Sequence, residues 1–273
     1  MPISLSARIP CKRSLAVTVV LSLGACATAP ADPAARAEFD RTDDPAEPTN
    51  RKVFAANQYV DRNALQPVAR GYQEHVPDGV RRGIHNFTSN LAQPGIAVND
   101  LLQGNVSRAW NTTQRFAINT TAGGVGLFDV ATGWNRPAHQ ADLGQTLGVW
   151  GVGAGPAVQL PLLGPSNVRD AVGAIGGFVL NPANLATGGA ATAVSVVSGG
   201  LGAVDGRAGL LATTDSLQKG SLDYYATLRS VSAQRRAALV QEGREGRVQQ
   251  AQPELGADAA GPGSGVAPVQ PAS

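Results

Sequence analysis

The sequence predicts a mostly α-helical body over residues 44–240, preceded by a tether and followed by a disordered tail. Three observations predict it. Several segments carry apolar residues at helical spacing, residues that cap or stop helices flank them, and no continuous apolar run reaches the length of a spanning helix.

The first stripe holds Val53, Phe54, Asn57, Val60, Ala64, Leu65 and Val68, with Thr49 or Asn50 as its cap. Val80, Ile84, Phe87 and Leu91 follow Asp78, a second N-cap candidate. A third stripe of Val106, Ala109, Trp110, Thr113, Phe116, Ala117 and Thr120 stops at Gly123-Gly124. Near the C-terminus Leu217, Tyr224, Tyr225, Leu228 and Val231 form a fourth, followed by Arg235-Arg236. Each stripe is expected to pack against the core.

Composition narrows the function classes. Only 15% of the 273 residues are charged and 5% are aromatic, against about 25% charged in an average chain. A net charge of +2 is too small for electrostatic binding of nucleic acid. The profile fits contact with something apolar.

Residues 1–25 read as an export signal. Arg8, Lys12 and Arg13 supply the positive start, and residues 14–23 (SLAVTVVLSL) form an apolar stretch of ten, too short to span a bilayer. The stretch runs into Leu23-Gly24-Ala25-Cys26, which resembles the bacterial lipobox, so Cys26 is expected to be acylated and to become the new N-terminus. Cys11 leaves with the signal, and no disulfide can form within the mature chain. Removal of three basic residues and no acidic one leaves 19 basic and 20 acidic, so the basic character belongs to the signal. Ala27 after the cysteine implies the outer membrane by the enteric sorting pattern. Residues 26–43 form the acylated tether, and 241–273 carry almost no bulky apolar side chain and are expected to be disordered.

The middle of the body is the most informative. Residues 143–204 carry only two charges, Arg169 and Asp170, with Gly, Pro, Asn and Gln interrupting throughout. Irregular backbone at membrane depth is tolerated only where protein or a wet cavity satisfies it. The segment is therefore expected to lie in the membrane plane or to line a cavity there.

The search for catalytic chemistry is mostly negative. His75, His85 and His139 have no metal-ligand spacing, Gly151-Val152-Gly153-Ala154-Gly155 has neither the Lys-Ser/Thr of a phosphate loop nor GxGxxG spacing, and GxSxG does not occur. No enzyme activity and no cofactor or metal is expected.

The ordered motifs resemble the MlaA/VacJ family of outer-membrane lipoproteins. Residues 44–51 (DPAEPTNR) open the match, followed by Val80-Arg81-Arg82-Gly83, Asn86-Phe87-Thr88-Ser89-Asn90-Leu91 and Asn99-Asp100-Leu101-Leu102-Gln103-Gly104. The most specific stretch is residues 143–156 (LGQTLGVWGVGAGP), running on to 160–166 (LPLLGPS) and Arg169-Asp170, and residues 222–236 resemble the closing helix. Departures fall at Ala46, Thr49, Ala157 and Ser232, where the family carries aromatics. Aromatics anchor membrane interfaces and partner contacts, so membrane depth and partner affinity are the properties these positions touch.

The resemblance implies a ring-shaped helical lipoprotein, embedded in the membrane, with an amphipathic central channel. It implies removal of mislocalised phospholipids from the outer leaflet and their transfer to a periplasmic carrier, with an outer-membrane porin trimer holding the ring. The residues expected to line the route are Leu147, Trp150, Gly151, Val152, Gly153, Gly155, Pro156, Leu160, Leu163 and Arg169, with Cys26 as the anchor. Arg169 reads as a phosphate contact or as half of a local pair with Asp170 at a helix start, and the two charges are expected to mark the return to water. The competing reading is an assembly scaffold that binds porins without moving lipid.

Overall fold

The structure is a computed structural model and describes Asp32, residues 43–180 and residues 189–248. Cys26, its signal, most of the tether and residues 249–273 lie outside the described residues.

Helices dominate, as expected. Helix α1 (Glu47–Val60) starts with Pro48 in its first turn, where a missing N–H costs nothing. A π turn (Asp61–Leu65) joins it to α2 (Gln66–His75). Val76 precedes Pro77, turns extended and ends α2. Helix α3 (Asp78–Leu102) runs through Pro94, and α4 (Val106–Thr121) packs beside it. At the predicted stop, Gly124 takes a φ of +59°, and a Cβ on Gly123 would sit 2.2 Å from the Phe128 carbonyl oxygen. Only glycine fits there.

Short α5 (Val130–Gly133) and α6 (Leu143–Val149) follow, each capped by an aspartate side chain, Asp129 and Asp142. An antiparallel hairpin of β1 (Ala157–Leu160) and β2 (Gly164–Asn167) pairs Ala157 with Asn167 and Leu160 with Gly164. Helix α7 (Val168–Leu180) packs on α6, and α8 (Gly189–Gly220) packs on α2 and α3. Helix α9 (Tyr224–Glu245) begins at the Asp223 cap and closes against α6 and β2. It ends on Gly246 in the left-handed region, so residues 241–245, expected in the tail, are helical. Buried Gly243 and the Arg244 bond to the Gly148 carbonyl hold that last turn. The described residues contain no helix long and apolar enough to cross a membrane.

The interior is polar. The largest fully buried side chains are Arg108, Gln145, Thr112, Thr146, Asp44 and Asp100, whereas buried apolar residues are mostly alanines. Among the described residues the buried apolar cluster is small: Ala69, Ala208 and Leu211, flanked by Tyr72, where α2 meets α8. Outside stand Trp110, Phe128, Trp134, Trp150, Leu162, Leu163 and Phe178. A globular chain in water has the opposite arrangement.

This inversion corrects the expected packing of the third stripe. Of the stripe Ala109 is buried as expected, but Val106, Trp110, Thr113 and Ala117 face outward, and α4 turns Arg108, Thr112, Arg115 and Asn119 inward. The first stripe is corrected by the π turn. Val60, before the turn, is already exposed, and the extra residue advances the face beyond it, so Ala64 and Val68 are exposed and Ala69 is buried. Asn50 is an interior residue of α1, with Ala46 at the cap, and Asp78 is the first helical residue, after Pro77.

Candidate functional site

Two asparagines on α1 fix the hairpin. Asn50 Nδ2 donates to the Ala157 carbonyl at 3.0 Å, and its Oδ1 accepts from the Gln159 N–H at 2.9 Å. One helical repeat on, Asn57 Nδ2 donates to the Leu160 carbonyl at 2.8 Å, and its Oδ1 accepts from the Leu162 N–H. Asp44 ties this assembly to α9 through Asn50 at 2.7 Å, the Tyr225 hydroxyl at 2.5 Å and Arg229 Nη1 at 2.6 Å. Burial and the Asp44 carboxylate together push the Tyr225 hydroxyl well above the ordinary phenol range.

Two cavities flank the hairpin. The first, about 490 Å³, has apolar walls that include Ile96, Leu102, Leu143, Leu160 and Leu163, with Asp142, Asp170 and Arg236 at a polar end. The second, about 900 Å³, runs along the glycine-rich loop 151–155 and is faced by Arg169, Arg229, Arg236 and Arg244. Pro165, Ser166 and Arg236 line both, so the cavities share one wall.

Arg236 organises the shared wall. Its Nη1 donates to Asp142 Oδ2 at 2.6 Å and its Nε to Asp170 Oδ2 at 2.8 Å. Burial alone would lower the Arg236 pKa, but its bonds to Asp142 and Asp170 carry it above the ordinary value. Asp142 responds in the opposite sense: burial would raise it, and Arg236 with the Gln145 and Gly144 N–H groups holds it below the usual carboxylate range. Arg169 Nε donates to Asp170 Oδ1 at 2.9 Å, and Asn167 caps the same carboxylate. Arg169 and Asp170 are buried, so they do not mark a return to water. Their mutual bond at the α7 start satisfies them inside the protein.

The sequence-derived route residues divide between these spaces. Leu160 and Leu163 line the first cavity, and Gly151, Val152, Gly153, Gly155 and Arg169 line the second. Leu147, Trp150 and Pro156 line neither. Trp150 is exposed and donates from Nε1 to the Leu102 carbonyl at 2.8 Å, while the Pro156 carbonyl accepts from the Val168 N–H. Ala157 and Ser232, two of the positions without aromatics, face the second cavity. The α9 arginines were missed as lining residues; the basic run after Tyr224-Tyr225 was their signal.

His139 belongs to a different, buried cluster. Its Nε2 lies 2.7 Å from Asp100 Oδ2 and 3.3 Å from Thr112 Oγ1. A nucleophile relay needs the hydroxyl and the carboxylate on opposite ring nitrogens. Here both meet Nε2, in a place closed to solvent. Among the described residues no group of His, Cys, Asp and Glu is arranged to hold a metal ion.

A helical body with its polar groups inside, large apolar groups outside and an apolar-walled cavity has the build of a protein that meets lipid. Residues 42–239 match the family model described as MlaA lipoprotein, and the chain belongs to that family. It is 34% identical over 226 residues to the intermembrane phospholipid transport system lipoprotein MlaA of Shigella flexneri, covering 81% of this chain and 85% of that one. It is 38% identical over 199 residues to an uncharacterized protein of Rickettsia bellii, covering 72% and 77%. A solved structure described as the structural basis for maintenance of bacterial outer membrane lipid asymmetry superposes with a TM-score of 0.64 at 34% identity, over 72% of this chain and 98% of that one.

Proposed function

We propose that this chain is an outer-membrane lipoprotein, anchored through Cys26, that withdraws mislocalised phospholipids from the outer leaflet and passes them to a periplasmic carrier. A porin trimer holds the body in place. The relatives named for intermembrane phospholipid transport support the class of cargo. The observation that carries the reading is the inverted body, whose exposed Trp, Phe and Leu side chains suit immersion in lipid.

The physical need is large. Exposing two acyl chains of about 30 CH₂ groups to water costs on the order of 24 kcal/mol, at about 0.8 each. A carrier must shield the tails and keep the headgroup wet. An assembly scaffold has no use for an apolar cavity joined to an arginine-faced one, and their juxtaposition favours transport. Purification of the Cys26→Ser chain in mild detergent tests the reading. Phospholipid at a fixed ratio to protein is expected, and its reproducible absence supports the scaffold instead.

A further inference from the structure

We propose that the two cavities divide a phospholipid between them, with one acyl chain in the first and the anionic phosphate at Arg244 in the second. The inference rests on the lipid-transport reading and adds how many chains the site holds and which cation meets the headgroup. The first support is volume. An apolar cavity of about 150 Å³ holds benzene, so 490 Å³ holds about twenty carbons, one acyl chain and not two. The second chain must stay outside, against lipid or the exposed Leu162 and Leu163 of the hairpin turn.

The second support is charge. Of the four arginines facing the larger cavity, Arg169 is paired with Asp170, Arg229 with Asp44, and Arg236 with Asp142 and Asp170. Arg244 donates only to the Gly148 carbonyl and meets no carboxylate among the described residues. Arg244 is exposed, and an accessible guanidinium without a carboxylate partner, lining a cavity, is open to a phosphate oxygen. Along the same cavity, the N–H groups of Gly153, Ala154 and Gly155 bond no described carbonyl. The wall shared at Ser166 and Arg236 places the polar cavity next to the apolar one, as a lipid with its tail in one and its phosphate in the other requires.

Two substitutions separate the halves. Gly95 lines the first cavity, and a Cβ there meets nothing within 4 Å, so Gly95→Phe fills the cavity without disturbing the helix. Gly71→Phe is the control, since Gly71 has the same open space and lines neither cavity. Arg244→Gln removes the charge and Arg244→Lys keeps it. The readout is binding of phosphatidylglycerol, lysophosphatidylglycerol and diacylglycerol to the purified full chain, with circular dichroism confirming each fold.

The proposal expects Gly95→Phe to lower binding of all three about tenfold or more and Gly71→Phe to leave it unchanged. Arg244→Gln is expected to weaken both phosphate-bearing lipids about tenfold and leave diacylglycerol unaffected, with Arg244→Lys restoring most of the loss. Lysophosphatidylglycerol, with one chain, is expected to displace the two-chain lipid one for one. Retained binding in both Gly95→Phe and Arg244→Gln overturns the division while leaving the transport function standing. Failure of the unaltered chain to bind any of the lipids overturns the transport reading and this one with it.

Discussion

Arg108 Nε lies 3.2 Å from Asp100 Oδ1, with both side chains fully withdrawn from solvent. The pair joins α4 to α3, and Arg108 extends it to the Glu242 and Gln140 carbonyls at 3.0 and 3.1 Å. A body with few large buried apolar side chains relies on such bonds to specify its packing.

Arg108→Met removes the cation and leaves Asp100 buried beside His139 and Thr112 alone. Loss of one partner from a buried pair costs about 3–5 kcal/mol. Denaturation of the purified chain is expected to show a loss of that order, and a loss under 1 kcal/mol shows that the pair does not hold α4 in place.

Gly173→Ala tests the contact of α6 with α7. A Cβ there would stand 2.3 Å from the Gly144 nitrogen and 2.4 Å from its Cα, and backbone cannot rotate away. Overpacking of this kind costs about 1–3 kcal/mol or more. Limited proteolysis is expected to cut the variant faster than the native chain, whereas equal rates would argue against the close approach.

Acid should loosen the shared cavity wall through Asp142, which holds Arg236, and the start of α5 through its cap Asp129. Asp142 and Asp129 are held below the usual carboxylate range although burial pushes the other way, Asp142 by Arg236, Asp129 by Thr132, Asn119 and Arg115. A depressed folded pKa contributes stability that is complete above the unfolded aspartate value of about 3.9 and is lost as pH falls through the lower folded value. The melting temperature is therefore expected to fall below about pH 4. Asp142→Asn should lower it at neutral pH and shrink the acid-induced drop; an unchanged drop contradicts the assignment.

Gly153→Glu adds a carboxylate to the second cavity at a position where a Cβ meets nothing within 4 Å. The variant is expected to reach the membrane at native levels and to lose the outer-leaflet barrier, read as detergent sensitivity of cells. Native detergent resistance would remove the loop from the route.

The helices were legible in the sequence because spacing and breakers act locally: Gly123-Gly124 stops α4 and Pro77 separates α2 from α3. Which face turns inward was not, because a stripe such as Val106, Trp110 and Thr113 names the apolar side without naming the solvent beyond it. The π turn left no signal, and its single extra residue moved Val68 out and Ala69 in. The hairpin was hidden by its four-residue strands and by Pro165, which removes a donor from β2. At the site, the glycine loop and Arg169 were visible as composition. Arg236 and Arg244, some 80 residues further on, meet that loop only through the closure of α9.

The most direct test of the account is the amount of phospholipid exposed on the cell surface, measured with an impermeant amine-reactive probe. Deletion of the chain is expected to raise it, and the intact chain to restore the original level. Surface phospholipid unchanged by the deletion would contradict the proposed function.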